Sequence, residues 1–172
     1  MTAVASTSCL AAPIGDSHCP TTEQLKRYTG SFPVMGHGDV GLVNGEGGSD
    51  FVPEENKWDF DNKIASAQLM RPELGVSVRL MDITSMHLLG TGEWDILYFV
   101  SCRKGHLHVV PQDSFLYGVK VHIVSDKEFT TRSGYWMQKD ARCCPSKIEF
   151  RRYNWNTEPK TFLVTQRSIK AK

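Results

Sequence analysis

The sequence predicts an all-β protein: antiparallel strands forming one domain, with a short helix at the start. Three observations carry this. Segments alternating apolar and polar residues recur with turn signals every 8–15 residues. Several of these segments are rich in β-branched and aromatic residues, which suit a pleated surface. No long stretch carries apolar residues at helical period, which argues against an α/β architecture. An antiparallel barrel is favoured over a sandwich or jelly roll, because closure removes sheet edges and can enclose a small ligand.

The 172 residues suit one domain with a sizeable core. Residues 1–21 are rich in Ala, Ser, Thr and Pro without a period, and are expected as a flexible arm before a β domain spanning 22–172. No Lys or Arg precedes Lys26, and Ser6-Thr7-Ser8 breaks the apolar run, so this arm makes a poor signal peptide. No run of about 18 apolar residues occurs, which argues against a membrane-spanning helix.

The elements follow in chain order. Thr22 can cap a helix of one or two turns that stops by Gly30. The helix followed by Gly30 and Phe32 resembles the opening of a lipocalin-type barrel. Phe32 takes the place of the tryptophan found there. A short strand is expected over Asp39 to Val43, then a glycine-rich turn in "NGEGGSD". "GHGDVG" has the form G-x-G-x-x-G, but no strand precedes it and no helix follows, so it is not read as a nucleotide loop. "KIASAQLM" and "VSVRLMDI" are strands around a turn at Pro72 and Gly75. In the second, Val76, Val78 and Leu80 share one face, and Ser77 and Arg79 the other. "WDILYFVSC" is apolar on both faces and reads as a central strand covered on both sides. "HLHVV" and "GVKVHIV" are expected as two paired strands joined by "PQDSFLY". "SGYWMQ", "KIEFRRYNW" and "TFLVTQRSI" complete the set.

The net charge of +1 gives no global steering toward nucleic acid, and no nucleic-acid partner is expected. The charge is nevertheless uneven. From Lys120 onward there are 12 basic and 5 acidic residues, leaving 8 basic and 14 acidic residues before it. Complementary neighbouring strands are the simpler account, and a basic surface for an anionic partner is the alternative. The five cysteines are Cys9, Cys19, Cys102, Cys143 and Cys144. They are odd in number and include a vicinal pair, so reduced thiols in the cytoplasm are favoured over a disulfide framework in a secreted chain.

The residues with chemistry cluster late in the chain. His106 and His108 stand two apart and share a strand face, and His122 lies on the next expected strand. Their convergence would make a ligand site. Cupins present metal ligands from such an H-x-H pair with an acidic residue a few positions on, where Asp113 stands. Val100 occupies the position of the cupin glycine, and the second cupin motif has no counterpart, so the chain is not assigned to that family. Leu107, Val109, Val119, Val121 and Ile123 have the better claim to a core face, which leaves the histidines and Lys120 outside. Lys120 also opposes a cation site, and no metal ligands or cofactor are assigned. Glu93 and Asp95 flank Trp94 at a strand start, with His87 upstream; paired carboxylates can do acid–base work.

The function expected is binding of a small, mainly apolar molecule in a barrel interior. The protein would be a carrier or a cofactor-independent isomerase or cyclase, as a monomer or a homodimer. His87, Glu93 and Tyr98 are the candidate catalytic groups, and Trp94, His106, His108 and His122 the candidate ligand contacts. A β-sandwich interaction module for a protein or carbohydrate is the alternative, and a cupin-like metal enzyme the second.

Overall fold

The structure is a computed structural model describing residues 19–52, 57–88, 93–103, 106–141 and 144–172. Most of the expected arm, residues 1–18, lies outside them, as do Cys9, Cys143 and the expected turn residues Gly90 and Gly92. The described residues form one helix and ten strands, with antiparallel pairing throughout.

Helix α1 (Thr22–Lys26) is a single turn. Its N-cap is Thr21, one residue before the expected cap. The Thr21 hydroxyl accepts from the Gln24 backbone N–H, and the Gln24 side chain accepts from the Thr21 N–H. Strands β1 (Gly30–Val34) and β2 (Gly38–Leu42) follow as a two-stranded hairpin. Two glycines of "GHGDVG" sit at its turn: Gly36 and Gly38 have φ of 93° and 73°, values that favour glycine.

The remaining strands run as a meander in chain order: β3 (Glu46–Val52), β4 (Lys57–Glu73), β5 (Val76–His87), β6 (Glu93–Arg103), β7 (His106–Ser125), β8 (Glu128–Tyr135), β9 (Lys147–Thr157) and β10 (Lys160–Ala171). The two strands expected around "PQDSFLY" are one. β7 is 20 residues long, well beyond the usual strand of about 3–10 residues. Its first part, His106 to Leu116, pairs with β6, and its second part, Tyr117 to Ser125, pairs with β8. Pro111 and the polar Gln112-Asp113-Ser114 read as a connection, but pairing with β6 continues past them through two register shifts, opposite Asp95–Leu97 and Leu97–Tyr98.

The sheet folds over itself at this handover. Phe99 on β6 stacks on Phe162 of β10 at 4.8 Å and meets Phe129 of β8 edge-on at 5.9 Å. Strands far apart in sheet order thus touch face to face. Met70, Val78, Leu80, Leu97 and Leu116 from one side, and Phe129, Tyr153 and Phe162 from the other, form the buried core between the halves. At its rim the β4–β5 turn reaches the β9–β10 turn, where Lys160 Nζ lies 2.8 Å from Glu73 Oε1. No pairing joins β3 to β10 among the described residues.

A second core covers the other face of β4–β7. Ile64, Ala67, Met81, Ile83, Ile96, Tyr98 and Val100 lie beneath Leu25, Phe32, Val34, Val40 and Leu42 of α1 and the β1–β2 hairpin. β6 is therefore covered on both faces, as its sequence predicts. β5 is too, and this corrects the expectation that Ser77 and Arg79 mark a polar face. Met81 and Ile83 continue that face under the hairpin, and Arg79 is buried with them.

Cys19 and Cys102 form a disulfide across 83 residues of sequence, with Cα atoms 5.8 Å apart. The expectation of reduced thiols is corrected here. The segment before α1 lies beside the end of β6, and no local spacing encodes that proximity. Cys144 is also disulfide-bonded.

Candidate functional site

The candidate residues divide into three groups by position. The first lies where the β1–β2 turn meets the ends of β4, β5 and β6. Antiparallel pairing sets Phe60 of β4 opposite His87 of β5, and Ser85 opposite Trp94 of β6. His37, in the hairpin turn, comes down on top of them. Its ring centre is 4.4 Å from that of Phe60 and 6.4 Å from that of Trp94, stacked with the latter. Phe60 meets His87 edge-on at 4.8 Å and Trp94 at 5.4 Å. His37 Nε2 and the Ser85 hydroxyl are 3.4 Å apart. All four rings are partly buried. The structure thus unites two candidates, His87 and Trp94, and adds His37 and Phe60, which the sequence did not single out. The "GHG" turn is the signal that could have found His37, since a hairpin tip can close over a sheet end.

Glu93 begins β6 and is exposed opposite Met86. Tyr98 lies on the face of Trp94, four residues along β6, and is buried in the core. Its hydroxyl accepts a 2.7 Å hydrogen bond from the Met35 N–H, and its ring meets Phe32 edge-on at 5.4 Å. Burial raises the Tyr98 pKa, and the Met35 bond opposes this. The geometry makes Tyr98 the pin that fastens the hairpin to the sheet.

The second group is the histidines of β7. His106 and His108 are exposed, while Leu107 and Val109 between and after them pack on the hairpin-side core. His122 is exposed and sits opposite Thr130. His106 and His108 pair with β6 and His122 with β8, so the paired histidine strands that the sequence suggests do not form. Among the described residues no three His, Cys, Asp or Glu side chains gather to hold a metal.

The third group was missed by the sequence reading. Asp82 and Asp95 are both buried, on the face of β5 and β6 that looks into the fold-over core. Asp95 lies opposite Thr84, and Asp82 two residues away along β5. Asp95 Oδ1 accepts from the Thr84 hydroxyl at 2.8 Å, and Oδ2 accepts from the Val119 N–H at 2.7 Å. Val119 falls in the register shift between Tyr117 and Lys120, where β7 takes up its new partner. Asp95 therefore satisfies a backbone donor at the bend itself. Burial raises the pKa of Asp95, against the pull of those two hydrogen bonds. Asp82 is pushed up to about 8, first by burial and then by the Asp95 charge. Asp82 Oδ1 has no hydrogen-bond partner among the described residues. A signal for Asp82 existed in sequence: it continues the apolar face of Val76, Val78 and Leu80, where a carboxylate is out of place.

The chain matches no family model, no curated protein and no solved structure.

Proposed function

We propose that this protein binds a small, mainly apolar molecule at the ring cluster of His37, Phe60, His87 and Trp94, as a carrier. One observation carries the reading: four partly buried aromatic rings from four separate segments meet at one end of the central sheet. Aromatic faces supply large contact area at small conformational cost. The imidazoles of His37 and His87 add the few polar groups that orient a ligand in such sites. In a catalytic version, His87 and Glu93 are the acid–base groups nearest the cluster, and shape does most of the work of an isomerisation or cyclisation.

We read the architecture as two facing half-sheets, the sandwich alternative, on the strength of the Phe99–Phe162 stack. The rim contact of Glu73 with Lys160 favours the barrel. The disulfide fits an oxidising compartment. The test is ligand-observed NMR against a library of uncharged aromatic and aliphatic molecules. Binding lost in Trp94→Ala and weakened in His87→Ala is expected. A library without a single binder, or binding indifferent to both substitutions, would refute the reading.

A further inference from the structure

A second site, independent of the ring cluster, lies where β7 leaves β6. The register shift after Tyr117 and the left-handed Gly118 (φ 56°) open a cavity of about 170 Å³ between β7, β8 and the segment entering β9. Its lining includes Lys120, Arg132, Lys147 and Lys172, and no acidic residue. The floor is tight: a side chain at Gly134 would come within 2.5 Å of Pro145 and 3.0 Å of Tyr117. The wall carrying Lys147 is fixed by Asp140, whose Oδ2 accepts from the Met137 and Ser146 N–H groups at 2.7 and 2.8 Å. Asp140 is the acidic group whose charge interacts with Lys147.

Two features single out this cavity from an ordinary basic surface. Lys120 and Arg132 are directly opposite across β7 and β8, and like charges in that relation are destabilising. The acids nearby in sequence are also engaged elsewhere. Glu149 holds Arg151 and Arg167, and Glu128 holds Arg152. No ion pair joins Lys120, Arg132, Lys147 or Lys172 to an acid among the described residues. The positive surplus of the C-terminal third is thus neutralised on part of the sheet and left concentrated here.

We propose that this cavity binds the phosphate group of a small phosphomonoester. The Arg132 guanidinium, with Lys120 directly opposite it on the same sheet face, matches a tetrahedral oxyanion. Tyr117 and Ile148 offer an apolar wall to the ester carbon. The volume is below the roughly 300–1,000 Å³ of sites that enclose a whole drug-sized ligand, so the cavity takes a head group and leaves the remainder outside. A soluble ester and a phospholipid head group share this chemistry.

The experiment is calorimetric titration of the full chain with inorganic phosphate and with phenyl phosphate at low salt. Saturable one-site binding is expected, tighter for phenyl phosphate and weakened by added salt. Arg132→Ala and Lys147→Ala should each weaken it by about tenfold or more, and Lys139→Ala should leave it unchanged. Lys120→Gln should weaken binding while raising the melting temperature, because it relieves a like-charge pair; a merely structural lysine would not give that combination. Sedimentation with phosphatidic-acid vesicles, competed by phenyl phosphate, would assign the head group to lipid. Phenyl phosphate binding without sedimentation would assign it to a soluble ester. Absence of saturable binding at millimolar ligand, or unchanged affinity in both Arg132→Ala and Lys147→Ala, would overturn the proposal.

Discussion

Asp82 is a carboxyl held where a carboxylate is costly. Its native form keeps the proton up to about pH 8, whereas the unfolded chain releases it near 3.8. Between those values the native state binds more protons, so stability falls as pH rises, by about 1.4 kcal/mol per unit for a single such group. Below about pH 4 both states are protonated and the contribution is fully present; above about pH 8 it is lost. Asp95 is shifted in the same direction and adds to the trend. Asp82→Asn should flatten the slope and raise stability at pH 8 relative to the parent, as read by urea unfolding at pH 5 and pH 8. A parent protein whose stability rises across that interval would contradict the assignment. The facing of these residues was legible in sequence, since alternation places Asp82 with Leu80 and Val78. The burial of that face at its upper end was not, because it depends on core residues from strands 30 or more residues downstream.

Strands were legible where alternation was clean, and misjudged where a polar insert mimics a turn. "PQDSFLY" carries proline, glutamine and aspartate, the usual punctuation of a connection. In the fold it stays paired with β6 through two register shifts, opposite Asp95–Leu97 and Leu97–Tyr98, and the change of partner comes at Tyr117, before the later shift where Asp95 accepts from Val119. The expected pairing of the two histidine segments goes with that connection, since both belong to β7. At the chain's other long edge, β10 exposes Leu163, Val164 and Ile169, but it also carries Lys160, Arg167 and Lys170, the kind of charge that discourages edge-to-edge association. Gly45 shows how tightly α1 is set against the sheet. It has φ 84°, its N–H donates to Tyr28 O at 2.8 Å, and a Cβ there would lie 2.1 Å from the Lys26 carbonyl oxygen. Gly45→Ala should destabilise by more than the roughly 1 kcal/mol of a left-handed backbone penalty alone, measured by the denaturation midpoint. A neutral outcome would mean α1 is free to move off β4.

At the scale of the molecule, the Cys19–Cys102 bond clips the chain before α1 to the far end of β6. Closing a loop of that length removes unfolded-state entropy worth about 4–5 kcal/mol in the chain-entropy account. Cys102→Ser should lower stability by about 2–5 kcal/mol, seen in denaturant unfolding. Sequence spacing offered no view of this bond, because its partners belong to segments that meet only in the finished fold. The same dependence governs β7. One run of 20 residues borders two ladders, its first part paired with β6 and its second with β8. Cutting the chain at Ser125, a natural hairpin tip, would leave β8 to β10 without the strand that starts their ladder, and cutting before His106 would strip β6 of its neighbour. Both ladders thus depend on the one strand they share.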